Sequence, residues 1–332
     1  MKFLLPILLL GASARAGGAV EPPTVEQVRY VMGTTATVQA WAENPGAAEV
    51  AVGAAYAAFD RVDSLMSTWR DDSVLSRLNR SEPGHWVDVG DEVVQVLAQA
   101  KVVAAASEGA FDPTILPLVR LWGFRDGSLA VPDSCALAAT LSVLGHGNLE
   151  LDEEAGRARL TVRGAAVDLG GIAKGFALDM AAVAMRRAGV SGGLVDLGGN
   201  LLVFGEGPAG QVGIIDPSGS GMIWATIPVA DVSVATSGQY ERYLEIDGRR
   251  FGHILDARTG WPVPGGVSAT VVARQAMLAD AFATAAVVLG PEMGLALLEA
   301  TPGVEGMLTV PDGQGGFHLM TTSSFPSFQT SP

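Results

Sequence analysis

Val167 to Met180, reading Val-Asp-Leu-Gly-Gly-Ile-Ala-Lys-Gly-Phe-Ala-Leu-Asp-Met, constrains the chain more than any other stretch. It opens with strand-like alternation, turns on Gly170 and Gly171, and continues as an Ala/Leu/Met/Val helix as far as Arg187. A strand, a glycine turn and a helix in that order bring bare backbone N–H groups and a helix dipole to one point. Phosphate suits that point, and Lys174 adds a cation one turn in. The glycine spacing is not that of a Walker loop, and no Ser or Thr follows the lysine. The same pattern also serves a helix packed closely on a sheet, with glycines for clearance, so both readings stay open. Val-Asp-Leu-Gly-Gly recurs at 195–199, which predicts two neighbouring strands ending in glycine turns on one sheet edge, a favoured place for ligands.

With 332 residues, 48% of them hydrophobic, the chain can bury a large core in one domain or two lobes. Residues 1–16 read as a secretory signal: Lys2 is the charged start, Phe3 to Leu10 the apolar run, and Ala14-Arg15-Ala16 the cleavage site. The expected mature protein is periplasmic and soluble, because the apolar run is too short to span a bilayer. Cys135, the single cysteine, is too far from the cleavage site to carry a lipid anchor and has no partner for an internal disulfide. The charge is −14 from 35 acidic and 21 basic residues; losing Lys2 and Arg15 with the signal leaves 19 basic residues and −16. Such a surface repels nucleic acid and anionic lipid, so a polyanionic ligand would need helix ends, a few local cations or a divalent metal.

Residues 17–27 read as a Gly/Pro linker, 28–320 as the folded domain and 321–332 as a disordered Ser/Thr/Pro-rich tail. Val28 to Trp41 is a strand interrupted at Met32-Gly33-Thr34, where a glycine suggests a bulge or a nearby ligand. A helix over Ala48 to Ser67 places Ala55, Phe59, Val62 and Met66 on one face, and a second over Asp91 to Ser107 does the same with Val93, Leu97, Ala100 and Ala104. Tyr243 to Ile246 and Arg249 to Leu255 form a hairpin about Asp247-Gly248. Strand Val267 to Ala273 then leads into a helix over Met277 to Leu289.

That last helix is apolar nearly all round except at Asp280 and Thr284, four apart and on one face. A buried carboxylate must be paired, protonated or bound to metal. Lys174 or an arginine would satisfy it; so would Mg²⁺ or Ca²⁺, which take oxygen ligands, whereas no zinc-type cluster is visible. His253 ends a strand beside Asp256. It serves either as a structural residue or, facing a phosphate ester, as a general base. Trp69 reads as a surface-packing aromatic and Asp112, before Pro113, as a cap for the next segment.

Seven short motifs then occur in one order: Met32-Gly33-Thr34; Ser67-Thr68-Trp69 with Ser73 to Asn79; Gly109-Ala110-Phe111-Asp112-Pro113; Asp168 to Gly175; Thr236-Ser237-Gly238 with Tyr240-Glu241-Arg242; His253-Ile254 through Gly260; and Ala279-Asp280 with Ala283-Thr284. Together they resemble the ApbE family of FAD:protein FMN transferases, over residues 28 to 290. The resemblance implies an α+β fold, with mixed β-sheets and packed helices in two lobes and an FAD cleft between them. It implies a transferase that passes the FMN half of FAD to a Thr or Ser hydroxyl of an acceptor redox protein, releasing AMP, with Mg²⁺ on the diphosphate. Met32, Trp69, Ala110, Phe111, Asp112, Asp168, Lys174 and Ile254 would contact FAD. Gly171 and Ala283 through their carbonyls, with Asp280 and Thr284, would hold the metal, and His253 would be the base.

Two positions depart from the family: Trp69 stands where tyrosine is usual, and Ala257 replaces the proline of the His-Ile-x-Asp-Pro-x-Thr-Gly motif. Two other functions use the same cradle. An FAD pyrophosphatase would take water as acceptor, and a periplasmic accessory protein would only bind flavin.

Overall fold

The strands of the central sheet lie side by side in the order in which the chain makes them. They are β1 (Val25–Val31), β2 (Thr34–Trp41), β3 (Gly192–Leu197), β4 (Asn200–Gly205), β5 (Ser233–Gly238), β6 (Ser268–Ala273), β7 (Val304–Pro311) and β8 (Phe317–Thr321), and every neighbouring pair is antiparallel. The computed structural model describes residues 9–10, 24–125, 127, 130–205, 210–215, 223–238, 243–246, 249–314, 316–327 and 329–330. Because each strand returns beside its predecessor, everything else is an insertion. Helices α1 (Pro45–Met66), α2 (Val74–Asn79), α3 (Gly90–Ala106), α4 (Leu116–Leu121), α5 (Ser134–Leu141) and α6 (Ala173–Arg187) come between β2 and β3, and α7 (Ala276–Leu289) and α8 (Pro291–Glu299) between β6 and β7. The α+β class therefore holds.

The amphipathic patterns explain how the layers stack. Ala55, Phe59, Val62 and Met66 of α1, and Val93, Leu97, Ala100 and Ala104 of α3, are all buried in one core with α6, α7 and the inner face of the sheet. Each fully buried Phe or Val there contributes roughly 1.5–3 kcal/mol. Asn44 starts α1 by accepting from the Ala47 N–H at 3.0 Å, with Pro45 in the first turn. The other face of the sheet carries a second core, in which Trp41, Leu194, Leu201 and Val203 meet Val212, Ile214, Ala225 and Ile227 of the paired strands Gly210–Ile215 and Ile223–Val229. No described helix is long and apolar enough to cross a membrane.

Several local expectations are corrected. Val25 to Gln27 belong to β1, paired with Val38 to Ala40, so the strand starts inside the expected linker. Met32 and Gly33 have φ of 48° and 75°, a two-residue hairpin turn rather than a bulge in one strand. Val167 to Leu169 do not form a strand. The Asn79 side chain takes the place of a neighbouring strand, donating to the Val167 carbonyl at 2.8 Å and accepting its N–H at 2.6 Å, and Asp168 N–H donates to Pro113 O at 2.8 Å. The repeated pentapeptide is thus one strand, β3, and one side-chain-bracketed loop. The expected disordered tail is fixed where it is described: Thr322 N–H donates to Gly306 O, Ser323 bonds to Glu299, and Gln329–Thr330 pair with Thr226 and Ala225. Leu9–Leu10, within the expected signal, pair with Val212 and Gln211; the rest of 1–23, with 239–242 and 247–248, lies outside the described residues.

Candidate active site

The antiparallel order brings four features to one end of the sheet: the Met32-Gly33 turn, the Gly198-Gly199 turn, the end of β5 at Gly238 and the start of β6 at Ser268. The two turns interlock, with Gly198 N–H donating to Thr35 O at 3.0 Å and the Thr34 side chain filling the space where a Gly198 Cβ would sit. Against this end lies the start of α6, and beside it α7.

Gly175 lets the two helices approach. A Cβ there would collide with the Ala276 carbonyl, so only glycine permits the contact. Across it, Gly175 N–H donates to Asp280 Oδ2 at 3.0 Å. Asp280 is 2% exposed, and among the described residues no Lys, Arg or His comes within 4.0 Å of its carboxylate. Among the described residues the expected ion pair with Lys174 or an arginine is therefore not formed. A buried carboxylate that holds one N–H and has no cation beside it leaves its charge available to a bound cation.

The oxygens for such a cation are close by. A Cβ on Gly171 would meet Phe111 Cε2 at 3.2 Å and Thr284 Oγ1 at 3.4 Å, so the Gly170-Gly171 turn, Phe111 and the Thr284 hydroxyl converge. Thr284 Oγ1 in turn lies 3.3 Å from Ser237 Oγ at the end of β5. The Asp280 carboxylate and the Thr284 hydroxyl, four residues apart on α7, are oxygen donors of the kind that Mg²⁺ takes and zinc does not favour. Among the described residues no group of three or more His, Cys, Asp or Glu gathers to hold a metal.

The ApbE family model matches residues 32–308. The chain belongs to the ApbE family. It is 35% identical to the FAD:protein FMN transferase of Treponema pallidum, over 93% of this chain and 90% of that protein. It superposes on the apo flavinyl transferase ApbE of Pseudomonas stutzeri with a TM-score of 0.79 at 32% identity, covering 90% of this chain and 96% of that one. The flavin transferase ApbE of Vibrio cholerae gives a TM-score of 0.80 at 31% identity, with 91% and 97% covered.

The other ApbE motif residues fall into two groups. In the first, side chains remain available. Lys174 is half-buried at the start of α6, and its charge lowers the pKa of Asp196, which burial nonetheless pushes up to about 6. Met32 caps the hairpin beside the Gly198 turn. Trp69 is 68% exposed, with the Arg125 guanidinium 5.0 Å from its ring centroid. In the second group, carboxylates are already engaged. Asp168 Oδ2 accepts from Thr68 Oγ1 at 2.9 Å and Oδ1 from Gly170 N–H at 2.7 Å, which shapes the turn that leads into Gly171. Asp112 accepts from Thr114 N–H, Thr114 Oγ1 and His146 N–H at 2.6–2.9 Å; it closes the turn before α4 rather than capping that helix, whose N-cap is Ile115 with no side-chain cap bond. Ala110 and Phe111 are buried beside it.

Strand Arg249–Gly252 pairs with Tyr243–Ile246 as expected but stops short of the expected Leu255, so that His253 follows the strand rather than ending it. Its neighbour Asp256 accepts from Arg258 N–H, Nε and Nη2 at 2.8–2.9 Å, and a tight turn runs from Asp256 O to the Gly260 N–H. The turn rests on Trp122, whose indole N–H donates to Gly260 O at 2.8 Å, while Ile254 O accepts from Val263 N–H. Ala257 sits inside this turn, which the Arg258–Asp256 bonds and the Asp256 O–Gly260 N–H bond close without a proline. Sequence reasoning overlooked Asn79, Thr68, Asp196 and the role of Ser237. Each lies inside a quoted motif or the repeated pentapeptide, but its use depends on partners far away in the chain.

Proposed function

We propose that this protein transfers the FMN moiety of FAD to a Thr or Ser hydroxyl of an acceptor redox protein and releases AMP, with Mg²⁺ at the Asp280 site. The observation that carries the reading is the buried Asp280 carboxylate with one N–H and no cationic partner among the described residues, set against the phosphate-facing start of α6. The FAD:protein FMN transferase activity named for the Treponema pallidum relative supports it. When bound, Mg²⁺ supplies the positive charge that an acidic protein lacks for a diphosphate.

This chain's own residues do the rest. Lys174, half-buried at the start of α6, neutralises and orients the phosphates, aided by the helix dipole. Met32, Trp69, Ala110, Phe111 and Ile254 flank the nucleotide, and Asp112 and Asp168 hold the loops that carry them. His253 takes the proton of the acceptor hydroxyl. That oxygen forms the new bond to the FMN phosphorus as the P–O bond to AMP breaks, and AMP leaves with the electron pair. Positioning and charge neutralisation provide most of the rate.

Incubation with FAD and Mg²⁺, with and without a Thr-containing acceptor domain, tests this. AMP release that requires acceptor, with a fluorescent acceptor band, is the expected result. AMP and FMN without acceptor would make the protein a pyrophosphatase, and neither product would make it a flavin-binding accessory. His253→Ala keeps FAD binding and loses transfer; unchanged transfer removes its role as base. We place the protein in the periplasm after cleavage behind Ala16, checked by N-terminal sequencing of the mature chain.

A further inference from the structure

Thr284 Oγ1 sits between two elements: the Gly171 backbone faces it from the loop before α6, and Ser237 Oγ lies 3.3 Å away on β5. A threonine hydroxyl has one proton and two lone pairs. On a helix its usual proton acceptor is the carbonyl four residues back. Here the hydroxyl's hydrogen-bond partner among the described residues is Ser237. The serine is held in place by its strand: Ser237 is in register with Ala269, and the adjacent Thr236 and Thr270 hydroxyls are 3.0 Å apart, locking β5 to β6 at this level.

We propose that Ser237 is a positioning residue for the cation shell. Its hydroxyl oxygen accepts the Thr284 proton and so turns the Thr284 lone pairs toward the metal. The inference rests on the reading of Asp280 and Thr284 as metal ligands. The chemistry is that of an outer-shell partner, which fixes the orientation of a ligand it never replaces. Ser237 touches neither the diphosphate nor the reacting atoms in this role.

The test uses full-length protein and Mn²⁺, with free metal followed by electron paramagnetic resonance, alongside Mg²⁺ titration of FAD binding by flavin fluorescence. Ser237→Ala raises the half-saturating metal concentration about ten- to a hundredfold, while Ser237→Thr, which keeps the hydroxyl, stays within about threefold of wild type. Ser237→Cys, close in volume and a poor acceptor, follows the alanine variant. Thr284→Val weakens metal binding, and adding Ser237→Ala to it has no further effect, because the two hydroxyls act as one unit. If Ser237→Ala and Ser237→Cys titrate like wild type while Thr284→Val does not, the role of Ser237 is refuted and the metal site stands. If Thr284→Val and Asp280→Asn both titrate like wild type, the metal reading itself fails. Thermal denaturation of each variant confirms that metal binding is measured on folded protein.

Discussion

Asp112 and Asp280 are both buried aspartates in family motifs, and they are treated in opposite ways. Asp112 accepts three hydrogen bonds, two from Thr114 beside it and one from the His146 N–H on a separate turn. Among the described residues Asp280 accepts one hydrogen bond, from Gly175 across a helix interface, and no cation approaches it. A carboxylate with all its acceptor positions filled does architectural work; a buried one with fewer partners is open to a cation, which is the reading proposed for Asp280. Asp256, doubly engaged by Arg258, belongs with Asp112.

Asp280→Ala should break the contrast most sharply. It lowers flavin transfer by roughly a thousandfold or more, as losing several kcal/mol of charge stabilisation requires. The melting temperature changes little, because an under-compensated charge is also removed. Wild-type flavinylation of an acceptor by this variant would place Asp280 with Asp112.

The mirror experiment is Asp112→Ala, which orphans two buried N–H groups and a hydroxyl and lowers stability by about 3 kcal/mol. Urea denaturation reads this loss, and turnover per folded molecule falls far less than for Asp280→Ala. Gly175→Ala sharpens the comparison by moving the partner and keeping the charge. Its methyl group drives α6 off α7, destabilising by about 1–3 kcal/mol and weakening metal affinity together, which titration of FAD binding against Mg²⁺ would register.

The smallest effect is expected at Asp196, an intermediate case with one N–H from Gly199 and a distant Lys174. Burial raises its pKa from 3.8 to about 6. The native state therefore holds the proton more tightly than the unfolded chain, so this group favours folding below pH 3.8, and that contribution fades as pH rises to about 6. Asp196→Asn should flatten stability against pH in that window by about 1–2 kcal/mol, measured by denaturant melts at pH 4, 5 and 6.

The long amphipathic helices were legible because their patterns repeat over several turns: α1, α3 and α7 begin and end within a few residues of where the sequence places them. Val167 to Leu169 misled because alternation reports which side chains face inward and not whether a partner strand exists; Asn79, far away in sequence, supplied the partner. Met32 misled for a different reason. A positive φ on a methionine is rare enough that its hairpin turn carries no Asn-Gly or Asp-Gly signature. Within the site, ligand-type residues could be read from the motifs. The missing partner of Asp280 could not, since what a carboxylate lacks depends on everything packed around it.

Gly171 reaches the site from the insertion after β2, and Asp280 and Thr284 from the helix after β6. The sheet can grow by adding strands in synthesis order, yet the proposed ligand set is brought together only when α7 packs on β5 and β6. Nascent chains that end before Leu289 would therefore build much of the sheet without gaining affinity for metal or flavin. On the proposed reading of the site, flavin retention therefore reports that α7 has docked, which would keep a partly folded chain from sequestering FAD.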